Sequence, residues 1–478
     1  MPNTIQPYQY KKIEEHVLNL VESGVLQPGE RLPSLRKMAT TIRVSVPTVA
    51  QAYAELESRG ILESRERSGF YVSLDYKRLP APSLCPEARP GQMDMSRPAL
   101  LEAALRTCHG NICDAMNRYY PEKSLLAGRC LGKILRSVIQ DDPIRAVSYE
   151  PPQGNLELRK QIALRCMNAD LAVSPDEIVV TPGTMSSIAT LLTCITRPGD
   201  AVLIQSPAFI LYLRVIETLG LRAIEIPSCP QNGIPVQHVA DAIRDFDVKA
   251  CLLIPNFHMD GSLTPDSSKR QIVELLAEKN IPLVEDDVYG ELYFGQDRPS
   301  LFKTFDTTGL VATASSLTRT VAPGYRLGWV LPGEFKEQVL AHMSMTDARP
   351  ATPMQLALGE FLRRGEFDKH MKGLRAAISL SMARMQCEIG RRFPEGTQVS
   401  RPEGGFYIWV QMPKQVDSKD VFVRAREKGV VVFPGSLLSF SDTFKNCIRI
   451  NCRGVWNDDV RKALGTLGNI VTALAEQK

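Results

Sequence analysis

Two groups of residues in this chain have the chemistry to hold an anion. The run Glu177-Ile178-Val179-Val180-Thr181 reads as a strand, and Pro182-Gly183-Thr184-Met185 after it opens a helix. At such a turn the first backbone N–H groups have no helical partner and the helix dipole is positive, which favours a phosphate or carboxylate. Further along stand Arg319, Arg326 and Arg449, whose planar forks can meet two oxygens at once. A guanidinium with a pKa above ~12 binds anions but supplies neither a free amine nor a general base. The 11 cysteines (85, 108, 113, 130, 166, 194, 229, 251, 387, 447 and 452) show no CxxC pair and no paired zinc spacing. They read as buried thiols of a reducing compartment, and no metal is expected; only Cys108-His109 with Cys113 raises the question.

These residues act together only if a scaffold gathers them. From Tyr149 onward helical and strand patterns alternate: an amphipathic stretch at Leu156–Asn168 is followed by β-rich runs at 177–181, 201–205, 250–254, 281–284 and 310–314. That alternation predicts a mostly parallel α/β sheet covered by helices on both faces, with ligands gathered at the carboxyl ends of the strands. The chain has 478 residues, and at ~150 residues per domain this is about three domain equivalents. Its 57 Lys+Arg against 53 Asp+Glu give a net charge of +4, which excludes a protein that binds nucleic acid by bulk positive charge. No apolar run approaches the ~18 residues needed to cross a bilayer and the N-terminus is unlike a signal peptide, so a cytoplasmic protein without a membrane partner is expected.

Composition divides the chain into residues 1–78, a proline-rich linker over 79–104 with prolines at 80, 82, 86, 90 and 98, and a body over 105–478, in which the family resemblance given below implies a small lobe from about 350. In the first block an apolar helix at Tyr10–Val21 precedes Ser34 as the cap of a short helix. A turn at Arg43-Val44-Ser45 leads into a helix from about Pro47 to Ser58, and Gly60 ends it. Ile61–Ser64 and Phe70–Val72 then read as strands of a small wing. The stretch LPSLRKMATTIRVSVPTVAQAYAELESRGIL with the wing ESRERSGFYV closely resembles the GntR-type winged helix-turn-helix. That resemblance implies a double-stranded DNA operator as partner. Ser45, Thr48 and Gln51 would lie on the leading edge of the helix in the major groove, with Arg36, Arg67 and Gly69 near phosphates or the minor groove. The head carries 11 Lys/Arg and 9 Asp/Glu, a net of +2, so one copy binds weakly and a homodimer is expected.

The body resembles the fold-type I, aspartate-aminotransferase-like domain that MocR-type regulators carry behind a GntR-type head. The landmarks are YEPPQGNLELR (149–159), TPGTM (181–185), SPAF (206–209), IPNFH (254–258), VEDDVYGELYF (284–294), SSLTRTVAPGYRLGW (315–329), PEGGFYIWV (402–410) and IRINC (448–452). The resemblance implies a pyridoxal 5'-phosphate site. Gly183, Thr184, Met185, Ser316, Thr318 and Arg326 would cup the phosphate and Phe209 would stack on the ring. Asp286 would hold the ring nitrogen and Tyr289 the 3′ oxygen; Tyr149 would come from a neighbouring subunit and Arg449 would clamp a substrate carboxylate.

Two departures set this chain apart. The fourth residue of the SxxK stretch, the family's Schiff-base lysine, is Arg319, and no lysine lies between Lys303 and Lys336. The family's PNFxNPxG turn appears as Pro255-Asn256-Phe257-His258-Met259-Asp260-Gly261, one residue short and without its second Asn; Asp260 would bring negative charge towards a phenolate, and His258 reads as a loop histidine. Transamination by the usual route is therefore expected to fail, with no catalytic residue assigned. Three readings stay open: a regulator whose inactive body dimerises and senses a small anionic effector, a regulator that binds pyridoxal phosphate without an internal aldimine, or an enzyme with residual activity. In the first, Arg319 contacts the ligand or answers Asp286 and Tyr289 as a structural cation.

Overall fold

The computed structural model describes residues 9–65, 68–74, 76, 79–82, 90–92, 120–439 and 442–477. Arg67 and the Cys108-His109-Cys113 neighbourhood lie outside them.

The head is built from α1 (Gln9–Glu22), α2 (Leu35–Ile42), α3 (Val46–Ser58) and the hairpin of β1 (Leu62–Arg65) and β2 (Gly69–Val72). Ser34 accepts a hydrogen bond from Lys37 N and Ser45 from Thr48 N, so each short helix starts on a hydroxyl cap. Gly60 ends α3 at φ +74°, the left-handed conformation that glycine adopts without a Cβ penalty. Ile13, Val17, Met38, Val49, Tyr53, Leu56 and Val72 form its fully buried core. Truncating one of the large apolar members to alanine costs roughly 2–5 kcal/mol, much of what holds a small domain folded.

The body centres on an eight-stranded sheet of order β3-β6-β5-β7-β8-β9-β10-β4. Its strands are β3 (Gly91–Gln92), β4 (Val179–Thr181), β5 (Ala201–Ser206), β6 (Arg222–Pro227), β7 (Val248–Leu253), β8 (Leu283–Asp286), β9 (Val311–Ser316) and β10 (Gly328–Leu331). The five strands from β6 to β9 run parallel; β3 joins one edge and β10 the other in antiparallel pairing. Alternate residues serve opposite faces: Val202, Ile204, Ala250, Leu252 and Val284 enter one core, while Ala201, Leu203, Cys251, Leu253 and Leu283 enter the other. Strands β6 and β10 go beyond the runs expected from the sequence.

The small lobe holds an antiparallel sheet of order β11-β12-β14-β13, formed by β11 (Gln398–Val399), β12 (Tyr407–Gln411), β13 (Phe433–Pro434) and β14 (Cys447–Asn451). The long helix Glu366–Arg392 packs beside it against the C-terminal helix Asp458–Glu476. The stretch read as a linker is not simply a spacer. Gly91–Gln92 extends the large sheet, Arg401 Nη2 donates to Leu79 O at 2.5 Å, and Val399 N donates to Pro80 O at 2.9 Å.

Seven described cysteines are free thiols, as expected, but Cys229 is disulfide-bonded. Among the described residues no cluster of His, Cys, Asp and Glu is fit to hold a metal, and no helix is long and apolar enough to cross a membrane.

Candidate functional site

Most candidate residues of the body follow the carboxyl ends of β4, β5, β8 and β9, where the chain leaves the sheet; Tyr149, Arg326 and Arg449 come from elsewhere. Helix α4 (Thr184–Ile195) begins at Gly183 with no side-chain cap, so its leading N–H groups face outward from the turn. Gly183 has φ +121°, and a Cβ there would come within 3.1 Å of Arg326 Nη2. Both the backbone and the approach of Arg326 therefore require glycine. Thr184 Oγ1 donates to Ser316 Oγ at 2.7 Å, and Ser316 Oγ meets Thr318 Oγ1 at 2.7 Å. Arg326, itself at φ +49°, stays exposed at the rim and Met185 is half-buried. Gly183, Thr184, Ser316, Thr318 and Arg326 thus stand together and carry donors of the kind a phosphate takes.

The other predicted residues lie deeper. Phe209 precedes α5 (Ile210–Thr218), and Arg319 places its guanidinium carbon over the Phe209 ring, 5.6 Å from the centroid. Tyr212 of α5 donates its hydroxyl to Asp286 Oδ2, and Val288 N donates to Asp286 Oδ1 at 3.0 Å. Burial raises the Asp286 carboxyl to about 6, although Tyr212, Val288 and the charge of Arg319 all pull it down. Burial also pushes Tyr289 and Tyr212 well above the usual phenol range. Tyr289 shares a 2.5 Å hydrogen bond with Tyr407 and meets Phe406 edge-on at 5.9 Å.

Arg449 is fully buried on β14 between the rings of Tyr407, at 4.8 Å, and Phe433, at 4.4 Å. Its Nη1 lies 2.9 Å from the sulfur of Met259. The residue read as a carboxylate clamp is therefore walled in by two aromatic rings and a thioether. Met259, which stands where the family's second Asn is missing, is the lid of that box.

The shortened turn holds a further correction. His258 is a loop histidine, as read, but it is buried: its Nδ1 sits 3.4 Å from Asp260 Oδ1. Asp260 accepts from Ser228 Oγ at 2.6 Å and from Ser262 N at 2.9 Å, and those bonds with His258 lower its pKa despite burial. Its charge is spent inside the turn, not aimed at a phenolate. Ser228, Tyr212 and Tyr407 were not singled out from the sequence. Only Met259 had a local signal, as the residue standing in place of the missing Asn.

Beneath the site, Glu285 and Asp287 flank Asp286, and burial raises them to about 7 and about 6. Asp287 pairs with Arg298, whose Nε lies 3.4 Å from Glu291. Tyr149 is apart from the cup, 85% exposed, with Arg349 5.2 Å from its ring. In the head, Arg36, Ser45, Gln51 and Gly69 are exposed and Thr48 is half-buried. Ser45 and Thr48 also bond each other, Oγ to Oγ1 at 2.6 Å, so both belong to the cap of α3 as well as to its leading edge.

Hydroxyl and guanidinium donors of the kind a phosphate takes stand beside Gly183, and the face of Phe209 carries the Arg319 guanidinium. The family Aminotransferase class I and II matches residues 129–467, and the family Bacterial regulatory proteins, gntR family, matches residues 9–72. The uncharacterized HTH-type transcriptional regulator YdcR of Escherichia coli (strain K12) is 30% identical over 465 residues, covering 97% of this chain and 99% of that protein. The HTH-type transcriptional regulator NorG of Staphylococcus aureus (strain USA300) is 25% identical and covers 91% of this chain and 98% of its own length. Among solved structures, the multiple substrate aminotransferase from Thermococcus profundus superposes with a TM-score of 0.72 at 22% identity, over 80% of this chain and 96% of that one. At that identity the likeness concerns the fold.

Proposed function

The chain belongs to the class I and II aminotransferase family and carries a GntR-family head, and we propose that it is a homodimeric transcriptional regulator whose body senses a small phosphate-bearing anion without transaminating. The observation that carries the reading is Arg319 at the end of β9, facing Phe209, Asp286 and Tyr289. A guanidinium there can neither form a covalent link to a carbonyl ligand nor shuttle a proton at neutral pH. The full-length likeness to HTH-type transcriptional regulators supports the DNA-binding half. We assign residues 1–78 to the head, 79–104 to the connection and 105–478 to the body.

A dimer fits the apolar surface. Ile139, Ile144, Val147, Tyr149, Leu156, Leu164 and Met167 are large side chains left exposed within a stretch of about thirty residues. Large apolar side chains left exposed in such number favour an interface with a second copy. Pairing also gives two weak heads the avidity to hold an operator, which puts the site of action in the cytoplasm.

In the body, the free N–H groups of Thr184 and Met185, the hydroxyls of Thr184, Ser316 and Thr318, and Arg326 would hold the phosphate. Asp286 would meet a ring nitrogen if Arg319 swung off Phe209. Pyridoxal phosphate, when bound, supplies an electron-withdrawing ring; this chain would orient it by noncovalent contacts alone. Tyr289 keeps its proton and stays a donor, while Arg319 offsets the charge of an ionised Asp286 when no ligand does so. The bound and unbound states therefore differ in where Arg319 and its charge lie, the differential contact that a sensing mechanism needs.

The test is titration of the full-length protein with inorganic phosphate, pyridoxal phosphate, pyridoxamine phosphate and dicarboxylates, read by thermal shift and by absorbance. Phosphate-bearing compounds are expected to raise the melting temperature with no imine absorbance band. Stabilisation by dicarboxylates alone would overturn the assignment of the cup.

A further inference from the structure

The last turn of α3 is completed from outside the head. Within the head, Glu55 O accepts from Arg59 N at 3.1 Å, Leu56 O from Ile61 N at 3.0 Å and Glu57 O from Gly60 N at 2.8 Å. The next two carbonyls take donors from the long helix of the body, α6 (Glu366–Arg392). Arg384 Nε donates to Ser58 O at 2.7 Å, and Cys387 Sγ donates to Arg59 O at 3.1 Å. Spaced three apart, Arg384 and Cys387 share one face of α6. Burial pushes the Cys387 thiol up to about 11, so it keeps its donor proton at neutral pH. The Arg384 guanidinium also sits at the negative end of the α3 dipole.

Helix α6 is tied at an earlier turn to the ligand site. Arg375 Nη1 donates to Glu291 O at 3.1 Å, and its guanidinium carbon lies 4.1 Å from the Tyr293 ring centroid. Glu291 and Tyr293 continue the segment that starts with Asp286 and Tyr289 beside Arg319. The next carbonyl of that segment, Phe294 O, accepts from Lys11 Nζ of α1 at 3.3 Å. One run of chain, 286–294, therefore touches the ligand site at its start and the head at its end, and α6 spans the same two places.

We propose that Arg384 and Cys387 are positioning residues for DNA recognition, holding the carboxyl end of α3 so that each head meets its half-site at a fixed angle set by the body. Arg375 makes that angle depend on the 286–294 segment. The proposal rests on the reading of the head as the DNA-binding element. Both residues act at the end of α3 opposite to Ser45 and Thr48, so they govern placement, not base contact.

The experiment uses full-length protein and duplexes recovered by in vitro selection against it: a single half-site, two half-sites at the selected spacing, and two shifted by half a helical turn, about five base pairs. Arg384→Met keeps the apolar stem and removes the donor; Cys387→Ala removes the second one. In the double variant, affinity for the single half-site is expected to stay unchanged. The penalty for shifted spacing should shrink about tenfold, the scale of one lost charge-assisted hydrogen bond, and Arg384→Lys should restore part of it. In DNA-free protein, amide exchange over 58–62 should quicken by a similar factor. An unchanged spacing penalty, or unchanged exchange, in a variant that keeps its dimer and melting temperature overturns the proposal. If the native protein binds no duplex while exchange still quickens, the DNA-binding reading has failed and this assignment falls with it, although the contact itself is real.

Discussion

The guanidinium of Arg319 covers the ring of Phe209 at 5.6 Å from its centroid, and its positive charge faces the carboxyl that Tyr212 holds. Cation–π contact of this kind contributes roughly 0.5–2 kcal/mol, more as the site dries. On the proposed function, this side chain is the resident that a ligand displaces from the face of Phe209.

Arg319→Ala should therefore separate the two halves of the site. Removing the resident opens the face of Phe209 and leaves Gly183, Thr184, Ser316, Thr318 and Arg326 untouched. Calorimetric titration is expected to show inorganic phosphate binding as before and pyridoxal phosphate binding more tightly. Arg326→Gln should weaken both by about tenfold, the loss of one charged hydrogen bond at an exposed rim. Equal effects of the two substitutions on both ligands would refute the division.

The carboxyls of Glu285, Asp286 and Asp287 are raised to about 7, 6 and 6, chiefly by burial. A raised carboxyl binds its proton more tightly in the folded state, so its stabilising effect is complete below the ordinary carboxylate range near 4. It is lost as pH rises through 6 to 7. Thermal unfolding of the ligand-free protein should fall from pH 5 to pH 8. Asp286→Asn keeps the shape and removes the charge, so it should stabilise by about 2 kcal/mol at pH 8 and by little at pH 5. A pH-independent effect would show that Asp286 stays ionised throughout.

Much of this site could be read from residue order, and the reason is local geometry. Gly183 at a strand-to-helix turn, the Ser316-Leu317-Thr318-Arg319 run after a strand, and the Ser34 and Ser45 caps each depend on neighbours a few residues away. The closures of the pocket do not. Tyr212 reaches Asp286 across 74 residues, Tyr407 reaches Tyr289 across 118, and Met259 reaches Arg449 across 190. Nothing at Met259 itself indicates that a buried guanidinium will sit on its sulfur. Asp260 was misread for the same reason: its partner Ser228 lies 32 residues away, on the loop after β6, a strand that was not foreseen.

Ser45 and Gln51 should behave differently although both are exposed on α3. Ser45 accepts from Thr48 N and bonds the Thr48 hydroxyl, so Ser45→Ala removes a helix cap. It should destabilise the head by ~1 kcal/mol, seen as an earlier unfolding transition, besides weakening DNA binding. Gln51 is exposed and caps nothing within α3. Gln51→Ala should leave unfolding unchanged and cost about 1–3 kcal/mol against the selected duplex only, measured by fluorescence anisotropy. Loss of stability in the second variant would take Gln51 off the reading edge.

Replacing Arg319 by lysine restores an amine at the end of β9 but not the rest of an amine's working environment. The new side chain would face Asp286, and a neighbouring carboxylate favours the charged ammonium over the neutral nucleophile. With an ordinary amine pKa of ~10.4, the neutral fraction rises about a hundredfold between pH 7 and pH 9. Borohydride trapping of Arg319→Lys with pyridoxal phosphate should thus give little adduct at pH 7 and far more at pH 9. Peptide mapping should place that adduct at residue 319. The native protein should give none within 316–326 at either pH, because a guanidinium stays protonated across the whole range. An adduct in that segment of the native chain would remove the ground for reading the body as a sensor in place of an enzyme. Efficient trapping in the lysine variant at pH 7 would show instead that the site around Asp286 still tunes an amine for covalent chemistry, so that Arg319 alone holds the activity off.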